Sequence, residues 1–83
     1  MNIILSKQAE KYLDKLDNKT YNRLRKAIDG LASFEGDIVK LQGREDEYRL
    51  KKPPYRILFT YKTGSTEILV KGIHPRGDAY KKG

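Results

Sequence analysis

The spacing of hydrophobic residues changes partway along this chain from a helical to a strand-like period. Up to residue 32, apolar side chains recur at intervals of three and four, which places them on one face of an α-helix. From Tyr48 onward they alternate with polar residues, as expected of β-strands with one buried face. Because such helices and strands bury their apolar faces against each other, the sequence predicts an α+β fold.

Two amphipathic helices are predicted in the first half of the chain. The residues NIIL at 2–5 are typical of a short strand, and Ser6 follows them with a side-chain oxygen that can cap a helix. The residues LDNKT interrupt the helical pattern, and either Asp17 or Asn18 is placed to cap a second helix. So short a connection favours an antiparallel helical hairpin. The apolar stripes comprise Ala9, Tyr12, Leu13 and Leu16 in the first helix, and Leu24, Ala27, Ile28, Leu31 and Ala32 in the second.

The second half of the chain is predicted to form a sheet. Its strands are expected at about 48–52, 55–62 and 66–73. Pro53 and Pro54 belong in a turn, because a proline inside a central strand removes a ladder hydrogen bond. The short apolar segment at 38–41 has no determined type. The expected order is β-α-α-β-β-β, with an N-terminal helical hairpin packed on one face of a small antiparallel sheet.

A turn at Pro53 and Pro54 sets the register of the two strands that it joins. It predicts four facing pairs, which are Tyr48 with Phe59, Arg49 with Leu58, Leu50 with Ile57, and Lys51 with Arg56. The apolar pairs define the face that we place against the helices. The opposite side of the sheet is called the open face below. It is predicted to carry Arg49, Lys51, Arg56, Leu58, Leu69 and Lys71.

The formal net charge of +7 lies entirely in the C-terminal part of the chain. Residues 48–83 contain nine Lys and Arg against two acids, whereas residues 1–47 are balanced. Such an excess destabilises a compact chain unless an anionic partner relieves it. Glu67 is the only acid in the predicted strands, and guanidinium groups suit bidentate contacts to phosphate. We therefore predict an anion-binding open face; the alternative is a solvated face whose lysines resist aggregation.

The composition excludes several classes of protein. The chain has no cysteine, so neither a disulfide framework nor a thiolate metal site is possible, and no acidic cluster predicts a metal. No cofactor is expected. There is no apolar run of the roughly 20 residues that a membrane span needs, and no signal-peptide core. We expect one domain covering residues 1–83, located in the cytoplasm and without membrane contact.

The C-terminal segment GIHPRGDAYKK adds functional candidates beyond the last predicted strand. Gly72, Pro75 and Gly77 indicate a structured turn rather than a helix. A single histidine is more often structural than catalytic, but His74 shares this short basic segment with Arg76 and Tyr80. All three are therefore candidate site residues.

The chain resembles the RelE/ParE superfamily of toxins from type II toxin–antitoxin systems. The resemblance runs from LSKQAEKYLDKLDNKT through VKLQGREDEYRLKKPPYRILFTY to the closing PRGDAYK, and therefore covers nearly the whole chain. It implies a RelE-like fold, a two-helix hairpin on a small antiparallel sheet. It also implies two alternative functions, because RelE-like members cleave mRNA in the ribosomal A site whereas ParE-like members inhibit DNA gyrase without nuclease activity.

In RelE-like nucleases the working residues are basic side chains on two central strands together with an arginine and a tyrosine near the C-terminus. The matching positions here are Arg49 and Lys51 in YRLK, Arg56 in YRIL, Arg76 in HPRG and Tyr80 in DAYK. Arg49 stands where the best-studied type has a lysine base, and an arginine is very hard to deprotonate. The resemblance also implies partners, namely the ribosome with its mRNA and an acidic, partly disordered antitoxin in a hetero-oligomer.

As an endoribonuclease, the chain is expected to direct the ribose 2′-OH onto the adjacent phosphate without a metal. Lys51 or His74 is the expected base, because cationic neighbours make an ammonium group release its proton more readily. Arg56 and Arg76 are expected to stabilise the phosphorane, and Tyr80 to stack on a base or orient the 2′-OH. Two other functions stay open at this point, a ParE-like gyrase inhibitor and a basic RNA-binding module without chemistry.

Overall fold

The computed structural model describes residues 1–43 and 45–75. Two helices lie between the first strand and the other four, and a short 3-10 helix follows the second helix. The elements are β1 (Asn2–Leu5), α1 (Lys7–Asp14), α2 (Asn18–Gly30), the 3-10 helix (Leu31–Ser33), β2 (Asp37–Lys40), β3 (Glu47–Lys52), β4 (Tyr55–Thr60) and β5 (Glu67–Pro75). The predicted α+β class is confirmed.

Both helices begin at the residues that the sequence offers as caps. The Ser6 hydroxyl oxygen accepts a hydrogen bond from the backbone N–H of Ala9 at 3.2 Å. The Asp17 carboxylate accepts one from the N–H of Thr20 at 3.2 Å, so that Asp17 rather than Asn18 is the cap of α2. Each bond satisfies one of the N–H groups that the first turn of a helix leaves without a partner.

The five strands form one sheet in the order β1-β5-β4-β3-β2. Neighbouring strands are antiparallel except β1 and β5, which are parallel, so the prediction of a purely antiparallel sheet is wrong in this respect. A parallel pair needs a long connection, which the helices and the three intervening strands provide. The undetermined segment at 38–41 is the edge strand β2, which ends at Lys40.

The buried residues of both helices and of alternate strand positions form one cluster, so the helices cover a single face of the sheet. The helices and the 3-10 helix contribute Ala9, Leu13, Leu24, Ile28 and Leu31, and the strands contribute Leu50, Ile57, Phe59, Ile68, Val70 and Ile73. The register of β3 with β4 is the predicted one, from Tyr48 facing Phe59 to Lys51 facing Arg56. The two-residue turn at Pro53 and Pro54 is likewise confirmed.

Stacked rings reinforce the register of β3 with β4. The rings of Tyr48 and Phe59 lie 5.4 Å apart and nearly parallel. Phe34, which follows the 3-10 helix in a left-handed conformation with φ of 55°, places its ring edge-on to both of these rings and to Tyr61. Such contacts add roughly 0.5–1.5 kcal/mol per pair beyond burial. These contacts pack the residue that follows the 3-10 helix against β3 and β4.

The last strand is longer than the sequence predicts. The segment Gly72–Pro75 belongs to β5, whereas the glycine and proline had indicated a turn. A proline is tolerated here because the nitrogen of Pro75, like that of Ile73, lies on the outer edge of β5, where β1 no longer pairs. Arg76 and Tyr80 lie outside the described residues.

Replacement of Asp17 by Asn tests its role as a cap through pH. Hydrogen bonds from the Thr20 side chain and then from the Thr20 backbone hold the pKa of the Asp17 carboxyl below its ordinary value. Its contribution to stability is therefore complete above the ordinary aspartate pKa of about 3.9 and is lost as the pH falls through the lowered pKa. Asn caps a helix equally well and does not titrate.

We expect the melting temperature of the wild-type chain to fall relative to that of Asp17→Asn as the pH drops below about 4. Asp17→Ala, which removes the cap itself, is the control and is expected to melt below both at pH 7. A difference in melting temperature between wild type and Asp17→Asn that stays constant from neutral to acidic pH would contradict this assignment.

Candidate anion-binding site on the open face

A row of four polar side chains crosses the open face from β2 to β5. Lys51 faces Asp37 on one side and Arg56 on the other, and Arg56 in turn faces His74. Facing residues in an antiparallel sheet have Cβ atoms about 4.5–5.5 Å apart. The row therefore brings Lys51, Arg56 and His74 within reach of a single phosphodiester. We call these three residues the cationic row.

A second row runs beside the cationic row and contains Arg49. Its members are Val39, Arg49, Leu58 and Gly72, which face one another in this order. The Nε atom of Arg49 is buried and has no hydrogen-bond partner among the described residues. A buried donor without a partner costs about 1–3 kcal/mol, so the fold holds this arginine on the open face at an energetic cost.

Two carboxylates flank these cations, although Glu67 is the only acid in the predicted strands. Glu47 is the first residue of β3, and its Oε2 lies 3.6 Å from the Nζ of Lys71. Asp37 faces Lys51 from β2. Lys71 and Lys51 therefore each have an acid beside them on the open face.

A bulge in β5 places His74 in the cationic row. Phe59 faces Val70, but Leu58 faces Gly72, so Lys71 has no facing residue in β4. The extra residue shifts the remaining pairs by one position. The sequence predicts Lys71 on the open face together with Arg56, whereas the structure sets His74 opposite Arg56 and pairs Lys71 with Glu47.

The first turn of α1 takes over the outer edge of β5 where β1 ends. The N–H of Ser6 donates to the carbonyl of Val70 at 2.9 Å, and its hydroxyl donates to the carbonyl of Lys71 at 2.6 Å. Gln8 then bonds the backbone of Ile73 twice, since its Oε1 accepts from the N–H at 3.1 Å and its Nε2 donates to the carbonyl at 3.4 Å. These bonds hold β5 on both sides of the bulge.

The open face can therefore bind and polarise an anion and exchange a proton with it. Arginine and lysine neutralise phosphate, and imidazole is the side-chain group that exchanges protons near neutral pH. The described residues contain no group of three or more His, Cys, Asp or Glu that could hold a metal ion. None of the described helices is both long and apolar enough to cross a membrane.

Sequence reasoning missed several residues of this face for two different reasons. Glu47 alternates with Arg49 and Lys51, so the period of two would have revealed it had the strand been started one residue earlier. Asp37 and Gln8 carry no such local signal. Their positions depend on which distant strand lies beside β2 and α1.

Comparison with known families places the sequence in one family of toxins. The model of the family described as ParE toxin of type II toxin–antitoxin system, parDE, matches residues 3–80. No curated protein matches the sequence at a significant level.

Solved structures with the same fold come from toxins of the RelE type. An archaeal RelE–RelB complex from Pyrococcus horikoshii OT3 matches with a TM-score of 0.76 and 27% sequence identity, covering 92% of this chain and 94% of that chain. The RelB–RelE antitoxin–toxin complex from Methanococcus jannaschii matches with a TM-score of 0.75 and 19% identity, covering 95% and 96%. The isolated E. coli RelE toxin matches with a TM-score of 0.72 and 18% identity, covering 98% and 96%. At these identities the last two matches show the fold alone.

Replacement of Glu47 by Gln is expected to strengthen the binding of short single-stranded RNA to the open face. The change removes one negative charge and releases Lys71 from its ion pair. A unit charge about 8 Å from a phosphate charge in water is worth roughly 0.5 kcal/mol, so we expect about a twofold lower Kd at low salt. The gain should shrink as salt rises, because salt screens exposed charges.

Fluorescence anisotropy with a labelled oligonucleotide measures this affinity at two salt concentrations. Glu10→Gln makes the same charge change on α1, on the helical side of the sheet, and is expected to leave the Kd nearly unchanged. Equal effects of the two substitutions would mean that the anion does not bind at the open face.

Proposed function

Because the chain belongs to the ParE toxin family of type II toxin–antitoxin systems, within the RelE/ParE superfamily, we propose that it is an mRNA-cleaving toxin that acts on the ribosome. The cationic row carries this proposal. Three side chains that suit phosphate binding and proton transfer face one another on three adjacent strands. Arg49 adds a further guanidinium group on β3, two residues from Lys51 on the open face.

The proposed reaction is an attack of the ribose 2′-OH on the adjacent phosphate. The 2′-oxygen gives its proton to a base and bonds to phosphorus, and the bond from phosphorus to the 5′-oxygen then breaks. The leaving oxygen takes up a proton, so the products are a 2′,3′-cyclic phosphate and a 5′-OH end. The protein must orient this attack, move two protons and stabilise the additional negative charge of the phosphorane.

Each member of the cationic row has a proposed part in this reaction. His74 is the proposed base rather than Lys51, because imidazole is the side-chain group that ordinarily exchanges protons near neutral pH. Lys51 and Arg56 then stabilise the phosphorane on either side. Arg76 and Tyr80 remain proposed site residues on the strength of the family resemblance, the former for charge and the latter for stacking on a base.

Dependence on the ribosome is part of this proposal because the reaction requires a substrate held in a fixed position. Effective catalysis needs the reacting atoms held within a fraction of an ångström, and a sheet with one solvated face cannot hold a flexible RNA in this way alone. A ribosome would present the messenger in a fixed conformation, leaving the cationic row to supply charge and proton transfer.

A second candidate function is inhibition of DNA gyrase. The matched family model is the ParE model, and Arg49 replaces the lysine base of the best-studied nuclease type. In this case the open face would be a binding surface without chemistry, and His74 would have no part in proton transfer.

The proposed protein partner is a cognate antitoxin of acidic, partly disordered character in a hetero-oligomer. The net charge of +7 favours an acidic chain, and the similar proteins from P. horikoshii and M. jannaschii are complexes of RelE with RelB. Leu69 and Ile4 face each other at the β1 side of the sheet with 39% and 42% of their surface exposed. They offer apolar anchors beside Lys71 for such a chain.

Replacement of Arg56 by Ala tests the nuclease directly. Removing one group that stabilises a transition-state charge typically lowers the rate by about a hundredfold or more, so we expect a loss of this size. Cleavage is measured on programmed ribosomes by mapping 5′-OH ends in the messenger. Lys62→Ala removes an exposed positive charge beyond the end of β4 and is expected to cleave at the wild-type rate.

The same preparation separates the two candidate targets. Ribosome-dependent 5′-OH ends that disappear in Arg56→Ala support the nuclease. Double-strand DNA breaks in the presence of gyrase, with intact mRNA on ribosomes, would replace it with the gyrase inhibitor. Wild-type cleavage by Arg56→Ala would mean that the cationic row has no part in catalysis.

A further inference from the structure

We propose that Gln8, on the helix behind the sheet edge, is a positioning residue that fixes His74 in the cationic row. The inference rests on the proposed function, because it concerns the residue assigned to proton transfer there. Gln8 contacts neither the proposed substrate nor the other members of the row. Its effect on the reaction passes through the backbone of Ile73 and from there to His74.

The register of β5 decides whether His74 lies on the open face. Thr60 faces Leu69, and Phe59 faces Val70. If this register continued along β4, Arg56 would face Ile73. His74 would then point toward the helices. The bulge at Lys71 exchanges these two positions, so that Ile73 enters the core and His74 faces Arg56.

A bulge of this kind needs support at the outer edge of β5, because β1 pairs only as far as Val70. Gln8 provides this support by bonding both backbone groups of Ile73. The carbonyl of Ile73 belongs to the peptide group that leads into His74. Fixing this peptide group fixes the direction in which the side chain of His74 leaves the backbone.

Gly72 completes the arrangement by leaving room for both side chains. A Cβ atom at this position would lie 3.0 Å from the Oε1 of Gln8 and 3.1 Å from the Nε2 of His74. The imidazole and the carboxamide therefore lie over the same residue of the bulge. A displacement of the Gln8 carboxamide is therefore expected to displace the His74 imidazole.

The test uses the fact that the chain has a single histidine. The imidazole resonances of His74 in the purified full-length toxin can be assigned without ambiguity by NMR. We expect Gln8→Ala to shift these resonances and to broaden them through added mobility. Gln42→Ala removes the same side chain from an exposed loop and is expected to leave them unchanged.

The second readout is ribosome-dependent mRNA cleavage by the same variants. A misplaced proton-transfer group lowers turnover rather than binding, and displacements on the order of an ångström cost up to about a hundredfold. We expect Gln8→Ala to lower the rate at saturating ribosomes by about tenfold to a hundredfold, with little change in the ribosome concentration at half-maximal rate.

A merely structural role for Gln8 gives a different result. Lower thermal stability of Gln8→Ala with unchanged His74 resonances would overturn the inference, and so would shifted resonances with an unchanged cleavage rate. If the wild-type toxin cleaves no mRNA, the proposed function fails, and the resonances alone then decide whether Gln8 positions His74.

Gln8→Met tests the inference should Gln8→Ala fail to fold, because it keeps the length of the side chain and removes both hydrogen bonds to Ile73. We expect the His74 resonances to shift, because the peptide group that leads into His74 loses its support. Resonances that stay at their wild-type positions in a folded Gln8→Met would overturn the inference.

Discussion

The pairing of β5 with β4 is the constraint on which both faces of the sheet depend. Val70 and Ile73 are both fully buried, although residues three apart point to opposite sides of a regular strand. One extra residue in β5 resolves this conflict. Burying an isoleucine side chain is worth about 1.5–3 kcal/mol, so the core selects the bulged register, and His74 reaches the open face as a consequence. The hydrophobic core thus determines the composition of the candidate site.

The electrostatics of the open face are more balanced than its arginine and lysine content suggests. Glu47 and Asp37 stand at its margins and act on Lys71 and Lys51. Arg49 and Arg56 lie on the two central strands, and among the described residues no acid faces either of them from a neighbouring strand. In the proposed nuclease these two guanidinium groups would direct a phosphate to the centre of the sheet rather than to its edges.

The parts of the molecule that sequence reasoning recovers are those set by close neighbours in the chain. Ser6 lies one residue before its helix, and Pro53 and Pro54 lie inside the turn that aligns β3 with β4. The parts that it missed depend on distant segments. β1 lies beside β5 in a parallel pair, and Asp37 reaches Lys51 through β2, whose type no local pattern reveals.

Local spacing of apolar residues, capping side chains and turn prolines was sufficient for the α+β class, for both helix starts and for one hairpin with its facing cations. These features depend on interactions between residues a few positions apart, so they can be predicted from the sequence. The pairing of β4 with β5 established the bulge and the place of His74 opposite Arg56, and a contact between residues 65 apart established the hold of Gln8 on Ile73. Such features follow from the competition of side chains for a shared core and edge, and this competition exists only once the chain is folded.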